Sequence, residues 1–520
     1  MKDPMKPIDL RESVRLGITH ICNSVDRARD CRPYFRFNLI SPPIWSRHEA
    51  ADTPHTVGRF LHALNVCTEI AGLPDDKELL AGLRKQLFES CQHGDDGFAW
   101  DDVGYAPNPP LAYMHHQREA LLGLIAICRI FEDPQAEKYA KALVAAMEVA
   151  TRATGTYPGK CVGPEGWQQE NSEAPTTSER AISALLAYSS TFEDLLGVDL
   201  AVRFARHALA VSFGENGGLT PASGTHIHSI TGTVASLVEL GLITGQQEFI
   251  DRARCIFDVG LLPFRTQTGW IKEGTRASRG RGEANCTADV IEAACLLGVA
   301  GYTAYFEDAE RMLRNHLLAS QMDDLSWVVE NEGVANTETH AHDNLRRRAR
   351  GAFCFGEPNG FHSYNSDLTG AALQGIAAAW QHIITSNEDG GLRINLLLSR
   401  KHDTVHVTSL LPQEGRVILE PQRAVNLSIR IPPWSEQEAL AATIDGNALP
   451  ITVEDGYVKL DKLQAGTRVE VTFNQPQFLA QERALGYETP YRIRWLGNTV
   501  IGMDGGSEHM ALYPSLDSDN

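Results

Sequence analysis

The segment SLVELGLITGQQEFIDRARCIF (236–257) contains two runs of apolar residues at helical spacing, separated by Gly245. A glycine directly after an apolar run is typical of a helix C-terminus, so the segment predicts two helices joined by a short turn. The same spacing recurs from residue 8 to about 386 and predicts twelve helices, at 9–29, 56–72, 77–91, 114–131, 134–150, 176–195, 197–212, 226–243, 246–261, 284–299, 304–320 and 364–385.

These helices pair into six hairpins whose connections alternate between short and long, which predicts a closed (α/α)6 barrel over residues 1–388 with its long loops at one end. Structureless loops beyond ~12–15 residues inside a compact domain are usually functional or disordered. These loops are rich in Trp, Tyr, His and Asp, unlike disordered tracts. A rim of aromatic and titratable groups suits sugars, so the predicted partner is an oligosaccharide. The loops are 30–55, 92–113, 151–175, 213–225, 262–283 and 321–363.

The apolar period changes from helical to two after Asn387. Short alternating runs such as DTVHVTSLL, VNLSIRI and TRVEVTF are separated by turns such as Asp445-Gly446 and Asp455-Gly456. This pattern predicts a C-terminal β-sandwich domain over residues 389–520. The expected fold class is therefore mainly α with a β domain, an (α/α)6 barrel followed by a β-sandwich.

Composition excludes several functions. A hydrophobic content of 43% is that of a globular protein, and a formal net charge of -19 argues against nucleic acid and anionic membrane surfaces as partners. The N-terminus shows no apolar stretch of the secretory type, and the ten cysteines lack C-x-x-C spacing. These features predict a cytoplasmic protein with reduced thiols. The oligomeric state stays open, with a homodimer as one possibility.

The segment WIKEGTRASRGRGEANCTAD (270–289) concentrates chemistry at the start of a predicted helix. It contains the acids Glu273 and Glu283, a basic run that includes Arg276, the aromatic Trp270 and the thiol of Cys286. A site for a polar substrate needs such groups next to the free N–H donors of a helix N-terminus. The alternative is a solvated loop whose charges form surface ion pairs.

Histidines and a second cysteine add candidates. His115 opens one predicted helix, His226 and His228 open another, and His362 lies in the last long loop, all with hydrogen bonding to sugar hydroxyls as the expected role. Cys354 follows a run of arginines, which lower the pKa of a nearby thiol and make a nucleophile possible. Each of these residues is also compatible with a purely structural role.

Several segments carry a family resemblance. YFEDAERMLRNHLLASQ (305–321) and the strand with IRIPPW (429–434) are its most specific pieces, and GEANCTADVIEAACLLG (282–298) and CFGEPNG (354–360) lie in the same order. Through them the chain resembles glycoside hydrolase family 127, whose best-known members are β-L-arabinofuranosidases. The resemblance implies an (α/α)6 barrel followed by β-sandwich modules.

The resemblance also implies a site: a cysteine nucleophile, a zinc ion bound by one glutamate and three cysteines, and a separate glutamate as acid/base. Glu273 matches the acid/base, Cys354 the nucleophile and His226 a histidine that contacts the sugar. Glu283 matches the zinc-binding glutamate, but Asn285 and Phe355 stand where cysteines are expected, and Cys286 is one residue late. The prediction is that no zinc is bound; if zinc is present, Glu283, Cys286 and Cys354 are its expected ligands.

The sequence thus favours a glycoside hydrolase that removes a terminal sugar, arabinofuranosyl-like or acidic, from an oligosaccharide. Glu273 and Glu283 supply carboxylate acid/base chemistry, with or without Cys354 as nucleophile. Arg276 could pair with the carboxylate of an acidic sugar, and Trp270, His115, His228 and His362 are expected substrate contacts. The alternatives are a polysaccharide lyase or sugar isomerase on the same barrel, and a non-catalytic carbohydrate-binding protein.

Overall fold

The structure is a computed structural model that describes residues 3–101, 109–170, 173–387 and 390–516. Most of the predicted helices are present with shifted ends. The described helices are α1 (Leu10–Asn23), α2 (His55–Val66), α3 (Thr68–Ala71), α4 (Lys77–Gln92), α5 (Gln117–Phe131), α6 (Pro134–Thr151), α7 (Ile182–Phe192), α8 (Leu196–His207), α9 (Ile227–Thr244), α10 (Gln247–Cys255), α11 (Ala284–Val299), α12 (Tyr305–Met312), α13 (Leu345–Ala349) and α14 (Asp367–Ile383).

Two concentric rings of helices form the barrel. In the inner ring each helix packs against the next, in the order α2, α5, α7, α9, α11, α14 and back to α2. The outer ring consists of α1, α4, α6, α8, α10 and α12, each packed against inner helices. Among the described residues, α9 alone is long and apolar enough to cross a membrane, and 72% of that apolar window is buried inside the protein. The (α/α)6 arrangement predicted from the sequence is present.

Some helix ends differ from their predicted positions for local reasons. The first helix stops at Asn23 rather than 29, because the chain turns into the short strand β1 (Val25–Asp26) and then passes through left-handed backbone at Asp30 and Cys31. The outer helices α8, α10 and α12 each continue for a turn of π-helix, at Ala208–Ser212, Ile256–Gly260 and Leu313–Leu317. The helical spacing therefore extends past the end of the α-helix proper.

Several of the long loops build sheets, which the sequence did not predict. Their strands are β2 (Arg32–Pro33), β3 (Arg36–Asn38), β4 (Trp45–Arg47), β5 (Ala112–Tyr113), β6 (Gly159–Gly163), β7 (Gly166–Glu170), β8 (Gly282–Glu283), β9 (His340–Ala341), β10 (Phe355–Glu357) and β11 (Gly360–Asn365). A six-stranded sheet in the order β8-β10-β11-β3-β4-β9 joins three loops that are far apart in sequence. We call it the mouth sheet, because it lies at the loop end of the barrel. Part of the predicted loop 92–113 lies outside the described residues.

The C-terminal strands form two packed sheets and a separate smaller one. They are β12 (Ile384–Ser386), β13 (Leu392–Ile394), β14 (Arg400–Lys401), β15 (Val405–Ser409), β16 (Arg416–Pro421), β17 (Val425–Arg430), β18 (Ala441–Ile444), β19 (Asn447–Leu449), β20 (Val453–Glu454), β21 (Tyr457–Leu463), β22 (Val469–Thr472), β23 (Gln477–Glu482), β24 (Tyr491–Leu496) and β25 (Thr499–Met503). Sheet orders are β12-β13-β17-β21-β20 and β14-β15-β16-β22-β18-β19 for the sandwich, and β23-β24-β25 for the third sheet.

The third sheet differs from the expectation of one sandwich up to residue 520. Its residues Ile493 and Trp495 share an apolar cluster with Trp270, which belongs to the barrel loops, and with Tyr513. The sheet therefore packs on the barrel rather than extending the sandwich. The predicted domain boundary, residues 388 and 389, lies outside the described residues and stays a prediction.

A buried ion network joins the barrel to the sandwich. Arg430 in β17 donates to Glu307 (2.6 Å) and Glu310 (2.5 Å) of α12, and Arg314 donates to Glu310 at 2.9 Å. Glu310 also accepts from the backbone N–H of Leu397 at 2.8 Å. Although burial raises it, the pKa of Glu310 is lowered overall because Arg314 and Arg430 stabilise its charge. The network fixes the sandwich against the outer ring of the barrel.

A small cavity of about 120 Å³ lies inside the barrel at the end opposite the mouth sheet. Glu239 and Glu292 line it, together with His62 and Arg118. Burial raises the pKa of Glu239 from 4.5 to about 8, and the nearby Glu292 adds to this rise. The folded chain therefore holds a proton on Glu239 over a pH range in which the unfolded chain has lost it.

This arrangement predicts a pH-dependent stability. As the pH rises from about 4.5 to about 8, the folded state loses stability relative to the unfolded state, because its carboxyl keeps the proton that the unfolded chain releases. We expect Glu239→Gln to change stability little at pH 5 and to add about 1–3 kcal/mol at pH 9. Urea unfolding at both pH values measures this. The exposed Glu248→Gln on α10 is the control, and an equal effect of Glu239→Gln at both pH values would contradict the assignment.

Candidate active site at the barrel mouth

Charged and histidine side chains from every inner helix converge at the loop end of the barrel. They lie in the first turns of these helices or directly before them, where backbone N–H groups point toward the same space. The contributing residues are His55 (α2), Glu119 (α5), Arg180 (before α7), His226 and His228 (α9), Glu283 (before α11) and Asp367 (α14). We call this group the mouth cluster.

Glu119 is the buried anion at the centre of the mouth cluster. One of its oxygens, Oε1, is approached by Arg180 at 2.7 Å, Arg118 at 3.0 Å and Arg59 at 3.3 Å. Although burial raises it, the pKa of Glu119 is held well below its usual range by Arg180 and Arg59. The carboxylate is therefore ionised and holds the guanidinium groups in place.

Several buried polar atoms of the cluster and of the adjacent Arg59 and Asn285 make no hydrogen bond within the described part of the chain. They are Nδ1 of His55, Nε of Arg59, Oε2 of Glu119, Oδ1 of Asp367 and Oδ1 of Asn285, and the first and third of these face each other at 3.6 Å. Buried polar groups in folded proteins are almost always hydrogen-bonded to protein, water or a bound molecule. This set contains both donors and acceptors, so the cluster offers the pattern that a polyhydroxyl ligand needs.

Four histidine rings form a chain across the cluster. Ring centroids are 5.6 Å apart for His55 and His115, 5.6 Å for His115 and His226, and 5.6 Å for His226 and His228. His115 is oriented by a hydrogen bond from Nδ1 to the carbonyl of Thr176, at 2.9 Å. Burial lowers the pKa of His226 to about 4 and that of His115 well below 6.5. These rings are therefore neutral at physiological pH.

The two predicted glutamates lie on neighbouring stretches of backbone. The N–H of Glu283 donates to the carbonyl of Ile271 at 2.9 Å, and the N–H of Glu273 donates to Arg281 at 3.0 Å. Glu273 is half-buried, and Arg281 donates two hydrogen bonds to its carboxylate, of 2.7 and 2.9 Å. Glu283 is buried deeper, and burial together with the charges of Glu273 and Asp367 raises its pKa to about 8.

The cysteines do not form the zinc site that the resemblance implies. Cys286 is fully buried and donates through Sγ to Oε2 of Glu283 at 3.8 Å; burial and that glutamate raise the pKa of the thiol well above its usual value. Asn285 donates from its amide nitrogen to Glu283 at 2.9 Å and supplies no thiolate at the position where the resemblance expects a cysteine. Phe355 pairs with Glu283 across the mouth sheet and presents its ring to Arg281. A donor set of one glutamate and three thiolates is therefore not available.

Three predicted substrate contacts lie outside the mouth cluster. Trp270 is fully buried in the cluster of the third sheet, and its Nε1 donates to Gly356 at 2.8 Å. Its expected role as a substrate contact is therefore corrected to core packing. Arg276 is exposed beside a surface cleft, and His362 is exposed with Nδ1 at 2.9 Å from the hydroxyl of Ser363. Both lie on the outer rim rather than in the buried cluster.

The sequence reasoning missed the residues that surround Glu119. Arg59 and Glu119 occur within the predicted helices, in VGRFLHAL and QREALLGL, on faces that are otherwise apolar. The sequence feature that could have indicated them is a charged residue on an otherwise apolar helix face, about one turn from the helix start. This feature indicates a shared site only when several helices are known to start at the same end of a barrel.

Comparisons with known proteins agree with this architecture. A family model described as the middle domain of GH127 β-L-arabinofuranosidase matches residues 395–475, which contain most of the sandwich strands. A search of curated proteins finds no match. A GH127 β-arabinofuranosidase structure is similar with a TM-score of 0.60 and 15% identity, over 94% of this chain and 78% of that chain.

Two further solved structures give the same result. A GH127 β-L-arabinofuranosidase from Geobacillus stearothermophilus T6 is similar with a TM-score of 0.58 and 15% identity, over 94% of this chain and 80% of that one. A D-mannose isomerase is similar with a TM-score of 0.53 and 12% identity, over 74% of this chain and 99% of that one.

The fold is thus that of carbohydrate-active enzymes with an (α/α)6 barrel, and the predicted fold class is confirmed. Within that class, the middle-domain match and the structural likeness over 94% of the chain confirm the resemblance to glycoside hydrolase family 127.

Proposed function

We propose that the protein is a glycoside hydrolase that removes a terminal sugar from an oligosaccharide bound at the barrel mouth. The proposal rests on the buried donors and acceptors in and beside the mouth cluster that make no hydrogen bond to any described residue, next to two glutamates on neighbouring backbone. Sugar hydroxyls both donate and accept hydrogen bonds, so one ring can satisfy Arg59, Glu119 and Asp367 together. The barrel fold, shared with GH127 enzymes, supports the same substrate class.

Glu273 is the proposed proton donor and acceptor. It is the more accessible of the two glutamates and lies on the rim side of the cluster, where the leaving part of the oligosaccharide would exit. Arg281 fixes both carboxylate oxygens, and such positioning is a condition for acid/base catalysis. Glu283 lies deeper and is proposed as the second carboxylate that the reaction requires. Whether Cys354 acts as nucleophile stays a prediction.

The proposed terminal sugar is arabinofuranosyl-like, in keeping with the activities of the similar structures. In a second form of this proposal the terminal sugar is acidic, and its carboxylate binds an arginine on the outer rim. Arg276 and Arg279 border a surface cleft there, but Arg279 already pairs with Glu357 at 2.8 Å. Arg276 is the rim residue that would pair with a uronic acid. Preference for acidic over neutral oligosaccharides, lost in Arg276→Ala, would support this second form.

The proposal is tested by Glu273→Gln and Glu283→Gln. Each substitution keeps the shape of the side chain and removes its acid/base chemistry, so we expect kcat to fall by about 10²–10⁴-fold. Release of sugar from aryl glycosides and arabino-oligosaccharides measures this. Glu357→Gln, on the same rim, is the matched control and is expected to retain turnover. Unchanged turnover in both glutamate variants would refute the assignment, and binding of glycans without any turnover would favour a carbohydrate-binding protein.

A sugar isomerase is the second candidate, and the chain of four histidine rings favours it. Neutral imidazoles beside arginines can move a proton on a sugar carbon, and the barrel is also similar to that of a D-mannose isomerase. Product analysis separates the two: an isomerase exchanges a carbon-bound hydrogen with solvent deuterium and breaks no glycosidic bond. A lyase would instead produce an unsaturated sugar that absorbs ultraviolet light.

A further inference from the structure

Three potential metal ligands meet in the mouth cluster, although the sulfur-rich donor set is missing. One ring nitrogen of His226, one of His228 and a carboxylate oxygen of Glu283 all lie within 4.8 Å of one another. No hydrogen bond joins any two of these side chains in the described part of the chain. The three ligand atoms are therefore close together but are not hydrogen-bonded to one another.

Backbone pairing holds the three ligands in this arrangement. His226 pairs with Gly274 in an isolated bridge, and the N–H of Ile227 donates to Glu273 at 3.0 Å. Glu283 belongs to strand β8, which pairs with β10 in the mouth sheet. The two histidines therefore sit on one segment and the glutamate on another, with the residues around Glu273 hydrogen-bonded to both. The main chain that carries the three ligands is therefore fixed before an ion binds.

The second nitrogen of each histidine is close to a side chain that orients the ring. Nδ1 of His226 lies 2.8 Å from the hydroxyl of Ser229, and Nε2 of His228 lies 3.5 Å from a carboxylate oxygen of Asp289. Metal-binding histidines typically use their other nitrogen in this way, because it fixes the tautomer and the ring orientation. Each ring then keeps its other nitrogen, Nε2 of His226 and Nδ1 of His228, for an ion.

The charges around the point also favour a cation. Glu283 is 5% exposed and forms no ion pair with any described residue. A buried carboxylate without a counter-charge is costly, and either a proton or a cation removes that cost. The arginines whose charges act on Glu283 are already engaged: Arg281 donates to Glu273, and Arg59 approaches Glu119 at 3.3 Å and lies 3.9 Å from Asp367.

We propose that His226, His228 and Glu283 bind a divalent transition-metal ion of the zinc class. Imidazole and carboxylate ligands suit zinc, and three protein ligands leave a coordination position open for water or a sugar oxygen. Ligands at about 2.0–2.2 Å from a shared tetrahedral ion lie about 3.3–3.6 Å apart. The three ligand atoms, now within 4.8 Å of one another, reach that spacing by side-chain rotations that shift them by about 1 Å. This site goes beyond the proposed function and shares Glu283 with it: an ion bound here would hold Glu283 as a ligand in place of its proposed role as second carboxylate. Metal binding itself does not depend on which reaction the chain catalyses.

The test is a titration of the metal alone. Protein stripped with a chelator is titrated with Zn²⁺ in a calorimeter, without any sugar, and we expect about one ion per chain. His226→Ala and His228→Ala should each weaken binding on the order of 100-fold, and His228→Asn provides a more conservative second variant. Circular dichroism and thermal unfolding verify that each variant is folded. His115→Ala removes the ring beside His226 but no ligand atom, and it should keep the affinity of the parent.

Cysteine variants and cobalt spectra separate this site from a thiolate site. Cys286→Ser and Cys354→Ser should leave Zn²⁺ affinity unchanged, and bound Co²⁺ should show visible d–d bands without thiolate charge-transfer absorption. Absence of Zn²⁺ binding in the parent, unchanged binding in the histidine variants, or loss of binding in a cysteine variant would each overturn the proposal. Protein that binds the ion but hydrolyses no glycoside would refute the proposed function and leave the metal site standing.

Discussion

Glu119→Gln is expected to lower the free energy of unfolding by about 3–5 kcal/mol, because it removes the charge of a buried ion network and leaves its partners in place. Arg180, Arg118 and Arg59 all approach one oxygen of this carboxylate, within 2.7–3.3 Å. A neutral amide can accept from them but cannot offset three buried positive charges. The guanidinium groups would then separate or take up water.

Glu119→Gln should also lower turnover. Glu119 holds Arg59 at 3.3 Å, and Arg59 is one of the residues proposed to bind the sugar. Urea unfolding followed by tryptophan fluorescence measures the stability. Glu78→Gln is the matched control, because Glu78 pairs with Arg27 at 3.5 Å on the surface and its side chain is 69% exposed. We expect that control to change stability by less than about 0.5 kcal/mol. Equal effects of the two variants would show that Glu119 does not balance the arginines.

Arg430→Met is the second substitution with a large expected effect, also about 3–5 kcal/mol. Methionine fills a similar volume, but Glu307 and Glu310 lose a donor at 2.6 and 2.5 Å, respectively. Arg314 still neutralises part of the charge on Glu310, so Glu307 bears most of the loss. The effect is therefore one of an unpaired buried charge and not of a cavity.

Arg468→Met provides the comparison for this variant. Arg468 also contacts two glutamates, at 2.9 and 3.3 Å, but its side chain is 47% exposed. Water replaces those contacts at little cost, so we expect a change below about 0.5 kcal/mol. If both arginine variants were equally stable, the network between barrel and sandwich would have no role in holding the two parts together.

The helical barrel could be predicted because its signal is local. Apolar spacing over 236–257, with Gly245 between the two runs, is enough to define a helix pair, and α9 and α10 occupy those positions. The mouth sheet could not be predicted in this way. Its strands are two to six residues long and pair across loops separated by up to about 300 residues, so neither periodicity nor turn residues indicate them.

Some residues of the candidate site could also be predicted from the sequence, and others could not. Glu273, Glu283 and His226 were predicted because they stand in motifs that resemble a family, and they lie near one another in the structure; their roles stay predictions. Trp270 was misassigned, because its place in a polar loop gave no indication that the third sheet would cover it. Glu119 and its arginines come from different helices, and their meeting depends on closure of the whole barrel.

The two most specific pieces of the family resemblance have a structural explanation. Glu307, Glu310 and Arg314 belong to YFEDAERMLRNHLLASQ, and Arg430 immediately follows Ile429 in the IRIPPW strand. These segments form the ion network between barrel and sandwich. The resemblance is thus strongest where the two parts of the chain are joined, which is why it defines the fold better than the chemistry.

The mouth sheet has a consequence for how such a site can change over time. Glu283 and Phe355 are held by backbone hydrogen bonds between β8 and β10, which do not depend on the identity of the side chains. A ligand can therefore be exchanged at one of these positions without disturbing its neighbours. The backbone of the barrel mouth therefore keeps its shape when a side chain on β8 or β10 changes, so substitutions that alter its ligands are expected to leave the chain folded.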